Sequence, residues 1–493
     1  MAGLRIPRRS FSASLFRVVA RNQSTLRLAP TIAQLFAQPL ADSTSSAAST
    51  SASVASDDVT VQGWIRSVRR QKRFAFAVVG DGTTDAGLQA VMSDPTLADK
   101  LTTGSSVQLI GKLVASPGKG QDRELQVDSV VLVGESDPES YPIQKKELSA
   151  EFLRTMPHLR PRRDIYAQVI RERDRMMRGF HDFYQQYGFT YVHTPILTTN
   201  DCENGGETFL AVPAKYKNYS KNNFDAFFGH DANLTVSSQL HLEAVTSSFP
   251  RTYTIGPCFR AEASATSRHL NEFWMLEAEV AFEDKLDGIM DVVEQSVKAV
   301  LPVGFLGPAL SLGETSEAVI PAAEPSSAWP RISYAAALSA LRHASTNGAQ
   351  FDHPAPQWGQ PIRSEHERWL ARDGPIFVTR YPQEVKPFYM RETASTDSSE
   401  ITQGPTVECF DLLIPRIGEL AGGSLREHRL DILERALPTN ESDMGWYLDL
   451  RRWGTTPHGG FGLGFERLVA WVTGVESVRE AIPFPRWAGR WGM

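Results

Sequence analysis

Between Tyr253 and Phe282 the chain reads YTIGPCFRAEASATSRHLNEFWMLEAEVAF. Two strand-forming runs flank a short polar loop. The first ends in Arg260-Ala261-Glu262; the second opens with Arg268-His269 and carries Phe273. Such a hairpin can set a guanidinium, a carboxylate, an imidazole and an aromatic face around one nucleotide. Arginine suits phosphate because its planar fork donates paired, charge-assisted hydrogen bonds, and a phenyl face suits adenine. An ordinary surface hairpin could carry any one of these residues, but the whole set at this spacing points to nucleotide chemistry. A second segment, GGFGLGFERLVAWVTGV from Gly459 to Val475, reads as a glycine-rich strand running into an apolar helix. Its glycines permit close backbone approach, and Arg467 at the junction offers another phosphate contact.

The elements that must position these groups are legible upstream. Apolar residues at Tyr166, Val169, Ile170, Met176, Met177, Phe180, Phe183, Tyr184 and Tyr187 follow helical spacing. Gly188 stops that helix, and FTYVHTPIL follows as a predicted strand. Taken with these, FRAE…RHLNEF and GLGFERL are similar to the second and third signature motifs of the class II aminoacyl-tRNA synthetases. Ile165 to Pro195 resembles the first motif, a helix and strand at a dimer interface. The resemblance runs from about residue 57 to the C-terminus and implies an α+β fold, with an antiparallel sheet flanked by helices.

Composition bounds the rest. With 493 residues and 41% hydrophobic content, the chain can bury a large core in two or more domains. No apolar run reaches the roughly 18 residues that span a bilayer, so no membrane partner is expected. Cys202, Cys258 and Cys409 are widely separated, which argues against a zinc site or a disulfide framework and suits a reducing compartment. Residues 1–41 contain Arg5, Arg8, Arg9, Arg17, Arg21 and Arg27, and no acid before Asp42. That is the composition of a mitochondrial presequence, and the expected location is the matrix; a basic RNA-binding arm is the alternative. Without those arginines the net charge of −6 becomes −12. A flexible Ser/Ala/Thr linker is expected over 42–56.

An acidic protein that binds RNA must concentrate its positive charge locally. Residues 57–135 alternate five strand-like runs with Gly, Pro and Asp turns, which predicts a closed barrel of the OB type. Arg66, Arg69, Arg70, Lys72 and Arg73 precede Phe74 and Phe76 without an intervening acid, a combination suited to single-stranded RNA. Either Phe could instead be core. The family resemblance assigns anticodon contacts to Arg69, Phe76 and Gln89. A hinge is expected over 136–163 and the catalytic domain over 164–493, with surface insertions at 301–330 and 392–405.

A barrel ahead of this catalytic domain resembles the aspartate, asparagine and lysine subgroup, and several segments resemble its asparaginyl branch. Among them are DCENGGETF from Asp201 and GELAGGSLRE from Gly418. Aspartyl relatives place a lysine at the fourth position of QLxK, where this chain has Leu242. A buried substrate carboxylate without its cation is costly, whereas an amide needs one acceptor and one donor. The resemblance assigns these to Glu243 and Arg426, and the substrate α-amino group to Glu203 and Gln239. It further implies that Arg260 bridges the α-phosphate and the amino-acid carboxylate. Glu262 and Phe273 hold adenine; Arg268, His269 and Arg467 hold the triphosphate near Gly464; and Glu419 binds Mg2+. Arg260 and Arg467 are the catalytic pair. Gly422 stands where relatives use a serine as second metal ligand, and Ala263 and Ala265 replace polar residues in the loop that approaches the tRNA acceptor end.

The expected activity is asparagine activation with ATP and Mg2+, then transfer to tRNA(Asn), by a homodimer without zinc or an organic prosthetic group. The alternatives are a non-discriminating aspartyl enzyme, which Leu242 disfavours, and a catalytically silent RNA-binding paralogue, which the retained arginines disfavour. Asparagine synthesis without tRNA is disfavoured by the anticodon-type barrel.

Overall fold

Inward apolar residues alternating with outward ones along the strands between Val59 and Gly134 build the barrel. A computed structural model describes residues 28–38, 58–85, 87–118, 120–199, 208–213, 227–228, 231–263, 266–301, 328–394, 404–437 and 444–490. Glu203 and most of both expected insertions lie outside the described residues. The chain divides into two units, residues 1–144 and 145–493.

In the first unit, β1 (Val59–Arg70), β2 (Ala75–Gly80), β3 (Leu88–Met92), β4 (Ser106–Ala115) and β5 (Arg123–Gly134) close in the order β1-β2-β3-β5-β4. Ala75, Ala77 and Val79 point inward with Leu88, Ala90 and Met92, as do Val107, Leu109 and Leu125, all essentially inaccessible. The residues between them point out, as a period of two requires. A bulge between Ile65 and Ser67 shifts the register, so that Arg69 lies opposite Phe76.

The N-terminal boundary differs from expectation. Residues placed inside a presequence ending at 41 form α1 (Ile32–Ala37), which belongs to the barrel. Its Thr31 capping box closes the first turn. Ile32 and Leu35 are fully buried among the barrel's core residues. Asp81 accepts from the Ile32 amide at 2.7 Å, and Arg123 donates to the Leu35 carbonyl at 2.6 Å. Two buried apolar side chains and these polar anchors tie the segment to the barrel, a docking that arginine and serine content alone does not reveal.

The second unit begins within the expected hinge. Past α2 (Ala150–Arg154), Arg160 is buried and donates to the carbonyls of Arg479, Ile482 and Pro483, so residues 145–163 are part of the catalytic unit. The amphipathic helix follows as α3 (Asp164–Gln186) and ends just before Gly188. The predicted strand after it is broken into β6 (Thr190–Tyr191) and β7 (Leu197–Thr198), the latter paired with β8 (Asn233–Leu234); Pro195 cannot donate to a ladder.

After α4 (Gln239–Thr246) come β9 (Arg251–Phe259), β10 (Glu272–Ala281) and α5 (Leu286–Val300). Then follow β11 (Arg331–Ser333), α6 (Tyr334–Thr346), α7 (Ser364–Leu370), β12 (Ile376–Thr379), β13 (Cys409–Ile414) and β14 (Gly418–Leu425). The unit closes with α8 (Leu430–Ala436), α9 (Gly445–Arg452), β15 (His458–Gly464) and α10 (Phe465–Thr473). The sheet order is β11-β12-β13-β14-β15-β10-β9-β6. It is antiparallel from β12 to β9, as expected, but β11 and β6 add to its edges in parallel.

One sheet face is core. Leu276 and Ala278 of β10, Phe461 and Leu463 of β15, and Ala421 and Leu425 of β14 pack there with Ile289 and Val293 of α5. Because side chains alternate, the opposite face carries Phe273, Met275, Glu277 and Glu279 from β10. It also carries Gly464, Gly462 and Gly460 from β15, and Gly422 and Ser424 from β14. The register sets Glu277, Gly462 and Gly422 in one row across the sheet, and Glu279, Gly460 and Ser424 in the next.

Candidate active site

The glycine row makes a bare floor. A Cβ on Gly462 would stand 2.5 Å from the Met275 methyl, and one on Gly460 would stand 2.3 Å from the Glu279 carboxylate. Above it opens a cleft of about 680 Å3 lined by Arg260, Glu262, Arg268, His269, Phe273, Glu419, Gly464 and Arg467. All eight residues expected to meet ATP are therefore in one place. The Arg260 guanidinium lies 5.3 Å from the Phe273 ring centroid. Asn271 Nδ2 donates to the carbonyls of Arg260 and Glu262 at 2.6 and 2.9 Å, pinning the loop stem. His269 Nε2 is 3.4 Å from Glu262, and burial pulls the imidazole pKa down. Arg467 donates to the Glu419 carbonyl at 2.9 Å and to its carboxylate at 3.3 Å.

Several supporting residues were not anticipated from the sequence. Glu367, on α7, is 3.0 Å from Arg268 and accepts from the Glu419 amide at 3.2 Å. Burial raises its pKa, and the neighbouring Glu419 adds to the effect. Glu466, adjacent to Arg467, is buried; it accepts from Arg173 at 2.8 Å and from the Trp274 amide at 2.9 Å, tying α10 to α3 and β10. Asp411 lies opposite Gly422 in the register. Its carboxylate is 3.1 Å from Lys386, which burial opposes but Asp411 keeps charged. A Cβ placed on Gly422 would meet Asp411 at 3.4 Å and Glu419 at 3.5 Å, so the two carboxylates converge over a position that carries no side chain. Burial would raise Glu419, yet Arg467, Lys386 and Arg268 hold it below its ordinary range. Among the described residues no group of three or more His, Cys, Asp or Glu is arranged to hold a metal.

The other end of the floor is polar and closed. Helix α4 packs over β10 and β9, with Thr246 and Thr252 hydroxyls 2.6 Å apart. Glu277 accepts from the Ser238 amide at 2.9 Å and from the Ser237 hydroxyl at 2.5 Å, which fixes the start of the helix at Gln239. Gln239 and Glu243, four residues apart, share a helix face and bond at 3.1 Å.

Glu243, expected as an acceptor for a substrate amide, is the hub of a buried network. Tyr447 donates at 2.8 Å, Arg451 donates at 2.7 Å, and His458 Nε2 lies 3.1 Å away. Burial alone would raise the Glu243 pKa; Arg451, His458 and Arg426 together hold it well below the usual carboxylate range. Arg426, expected to donate to a substrate carbonyl, is 2.5 Å from Glu279 and donates to Ser424 at 2.7 Å. Burial pushes Glu279 up to about 7 against the pull of Arg426. Leu242 is fully buried beside this network. Two sequence signals for the network existed: Tyr447 and Arg451 at helical spacing, and Glu277 and Glu279 alternating into a strand that is otherwise largely apolar.

On the barrel, Arg69, Phe76 and Val91 form one cross-strand row, and Val78 and Gln89 the next. The three expected anticodon contacts thus share one outward face. Phe76 is half-buried and outside the barrel core, while Phe74 is 44% exposed.

An antiparallel sheet with an arginine-lined nucleotide cleft at one end of a glycine floor and a closed polar pocket at the other, in a chain that also carries an OB barrel, defines a class II aminoacyl-tRNA synthetase. Residues 149–488 match the family described as tRNA synthetases class II (D, K and N), and residues 59–133 match the OB-fold nucleic acid binding domain. The chain belongs to this family of class II synthetases for aspartate, lysine and asparagine. It is 43% identical over 458 residues to the asparagine–tRNA ligase of Nostoc sp., covering 87% of this chain and 95% of that protein. It is 45% identical over 454 residues to the asparagine–tRNA ligase of Desulfotalea psychrophila, again covering 87% of this chain and 95% of the relative. Asparaginyl-tRNA synthetase from Pyrococcus horikoshii, solved with asparaginyl-adenylate, superposes with a TM-score of 0.74 at 29% identity. That match covers 89% of this chain and 97% of that one.

Proposed function

We propose that this chain ligates asparagine to tRNA(Asn) through an asparaginyl-adenylate. The observation that carries the reading is the continuity of the β10 face. Phe273 and Arg260 mark its nucleotide end, and Glu279, with Arg426 and Glu243 beyond it, marks its closed end. Six residues of strand at about 3.4 Å each separate Phe273 from Glu279 by roughly 20 Å, room for an adenosine, one phosphate and a small side chain in line. The pocket holds Glu243, Glu279, Arg426 and Arg451, whose formal charges cancel, and Leu242 adds none. A neutral amide suits it.

Asparagine's carboxylate attacks the ATP α-phosphorus and pyrophosphate leaves. Arg260 holds both reacting groups and offsets charge in the pentavalent state. Arg268, held by Glu367, and Arg467, held by Glu419, receive the triphosphate tail. Glu262 reads the adenine amino group, while Gln239 meets the α-amino group, with Glu203 assigned there by family likeness. The tRNA 3′-hydroxyl then attacks the adenylate. An oxygen-only donor pair, Glu419 and Asp411, fits Mg2+, which takes one or two carboxylates and completes its shell with phosphate and water; when bound it supplies countercharge to the triphosphate. The barrel face of Arg69, Phe76 and Gln89 receives the anticodon.

By its likeness to the family's first motif, α3 and the strands after it serve a homodimer. We also place the protein in the mitochondrial matrix: all six early arginines precede Leu28, upstream of the folded barrel segment. ATP–pyrophosphate exchange with asparagine and aspartate in parallel, followed by charging of tRNA(Asn), tests the activity. Absence of asparagine-dependent exchange refutes it.

A further inference from the structure

We infer that Arg160 is a positioning residue for the triphosphate grip, an inference that rests on the ATP-binding reading of the cleft. Arg160 locks residues 477–486, and these brace the end of the β9–β10 loop that carries Arg268 and His269.

Residues 477–486 belong to neither helix nor strand, so their main-chain groups have no ladder to satisfy them. Arginines from earlier in the unit do so from one side. Arg160 donates to the carbonyls of Arg479 at 3.1 Å and Pro483 at 3.0 Å, and to that of Ile482. Arg173 donates to the Ala481 carbonyl at 2.9 Å, and Arg154 pairs with Glu480 at 2.7 Å. Arg160 is only 1% exposed, with its guanidinium 4.6 Å from the Tyr166 ring centroid. Burying an arginine is costly unless its donors are used, and here they fix the path of this one segment.

On the other side the same segment holds the loop. The Val478 amide and the Ser477 hydroxyl both donate to the Ser267 carbonyl at 3.0 Å. The Arg479 guanidinium donates to the Thr266 carbonyl at 3.2 Å, and the Asn271 amide donates to the Arg486 carbonyl at 2.8 Å. Arg268 and His269 lie between these anchored points, and Val478 itself lines the cleft. The brace therefore sets the backbone from which two phosphate-binding side chains project. The amino-acid end of the floor is held by other residues: Glu243 by Tyr447 and Arg451 of α9. A loosened brace should weaken ATP binding and spare asparagine.

The test compares wild type, Arg160→Lys, Arg479→Ala and the double variant, each as the full chain. Calorimetry without amino acid gives the Kd for Mg–ATP, pyrophosphate exchange gives the KM for asparagine, and thermal unfolding controls for the fold. Lysine keeps the charge but replaces the planar fork with a point donor, and Arg479→Ala cuts a bond between brace and loop at a partly exposed site. Each single variant should raise the Kd for ATP roughly threefold to tenfold, the net contribution of one hydrogen bond, with the KM for asparagine within roughly twofold. Because Arg160 acts through the brace, the double variant should weaken ATP by less than the product of the two single effects. A folded Arg160→Lys with the wild-type Kd overturns the inference, as does a parallel rise in the KM for asparagine or a double variant whose effects multiply. If Arg160→Lys does not fold, Arg479→Ala decides: it should show the same split, and an unchanged Kd for ATP overturns the inference. Wild type that binds no ATP overturns the reading of the cleft itself.

Discussion

Truncating Phe76 to alanine separates a base-stacking side chain from a core one. The structure sets the two expectations apart. Ala75 and Ala77, its strand neighbours, are buried inside the barrel, whereas Phe76 points outward between Arg69 and Val91. Removing the ring opens no cavity in the core, so the loss of barrel stability should be about 1 kcal/mol, the span of strand propensity. A core phenylalanine would cost about 3–5 kcal/mol. At about 4–8 °C per kcal/mol for a domain of this size, the first predicts a drop of a few degrees and the second a collapse of the transition. Stacking on a base contributes about 1–3 kcal/mol, which is roughly a 5- to 150-fold rise in Kd for tRNA(Asn) at 1.4 kcal/mol per decade. Adenylate formation, carried out in the other unit, should continue at the wild-type rate without tRNA. Filter binding, tRNA-free exchange and thermal unfolding on one preparation give all three numbers. An unchanged Kd with a folded barrel refutes stacking by Phe76 and moves attention to Phe74, and a large loss of melting temperature refutes the outward placement.

Arg260→Ala should lower pyrophosphate exchange by more than tenfold while leaving circular dichroism and melting unchanged, because its role is to offset charge in the reacting state; exchange above a tenth of wild type contradicts that role. Arg451→Met strands the Glu243 carboxylate in a buried site and should destabilise the catalytic unit by about 3–5 kcal/mol, measured by denaturant unfolding. Ile32→Ala or Leu35→Ala should each destabilise the barrel by about 2–5 kcal/mol; a barrel equally stable without residues 28–38 would show that α1 is ornamental. Residues 1–27 fused to a reporter should direct it to mitochondria, and a diffuse cytosolic signal rules out the address.

The nucleotide end was readable because its residues are local. Arg260, Glu262, Arg268, His269 and Phe273 sit within one hairpin, and Arg467 follows a glycine-rich strand whose meaning is itself local. The barrel was readable for the same reason, since alternation is a short-range signal. What escaped was everything assembled across long separations. Tyr447, Arg451 and His458 converge on Glu243 from about 200 residues away, and no pattern of spacing announces that meeting. Glu367 reaches Arg268 from a helix 99 residues away in sequence. The docking of residues 32–37 on the barrel was not legible because arginine and serine nearby dominate the composition, although Ile32 and Leu35 are a minimal apolar stripe. The sheet's parallel edges were missed because β6 and β11 are only two and three residues long.

The glycine floor also has an evolutionary consequence. The nucleotide grip and the amino-acid grip sit at opposite ends of one strand whose middle carries no bulky side chain on β15 or at Gly422. The two ends are joined along β10 by backbone hydrogen bonds to its neighbouring strands, with Glu277 between them anchoring the start of α4. A lineage can exchange residues around Glu279 and Arg426, and with them the amino acid it accepts, while inheriting its ATP chemistry untouched. The floor works as a fixed ruler with an interchangeable end piece.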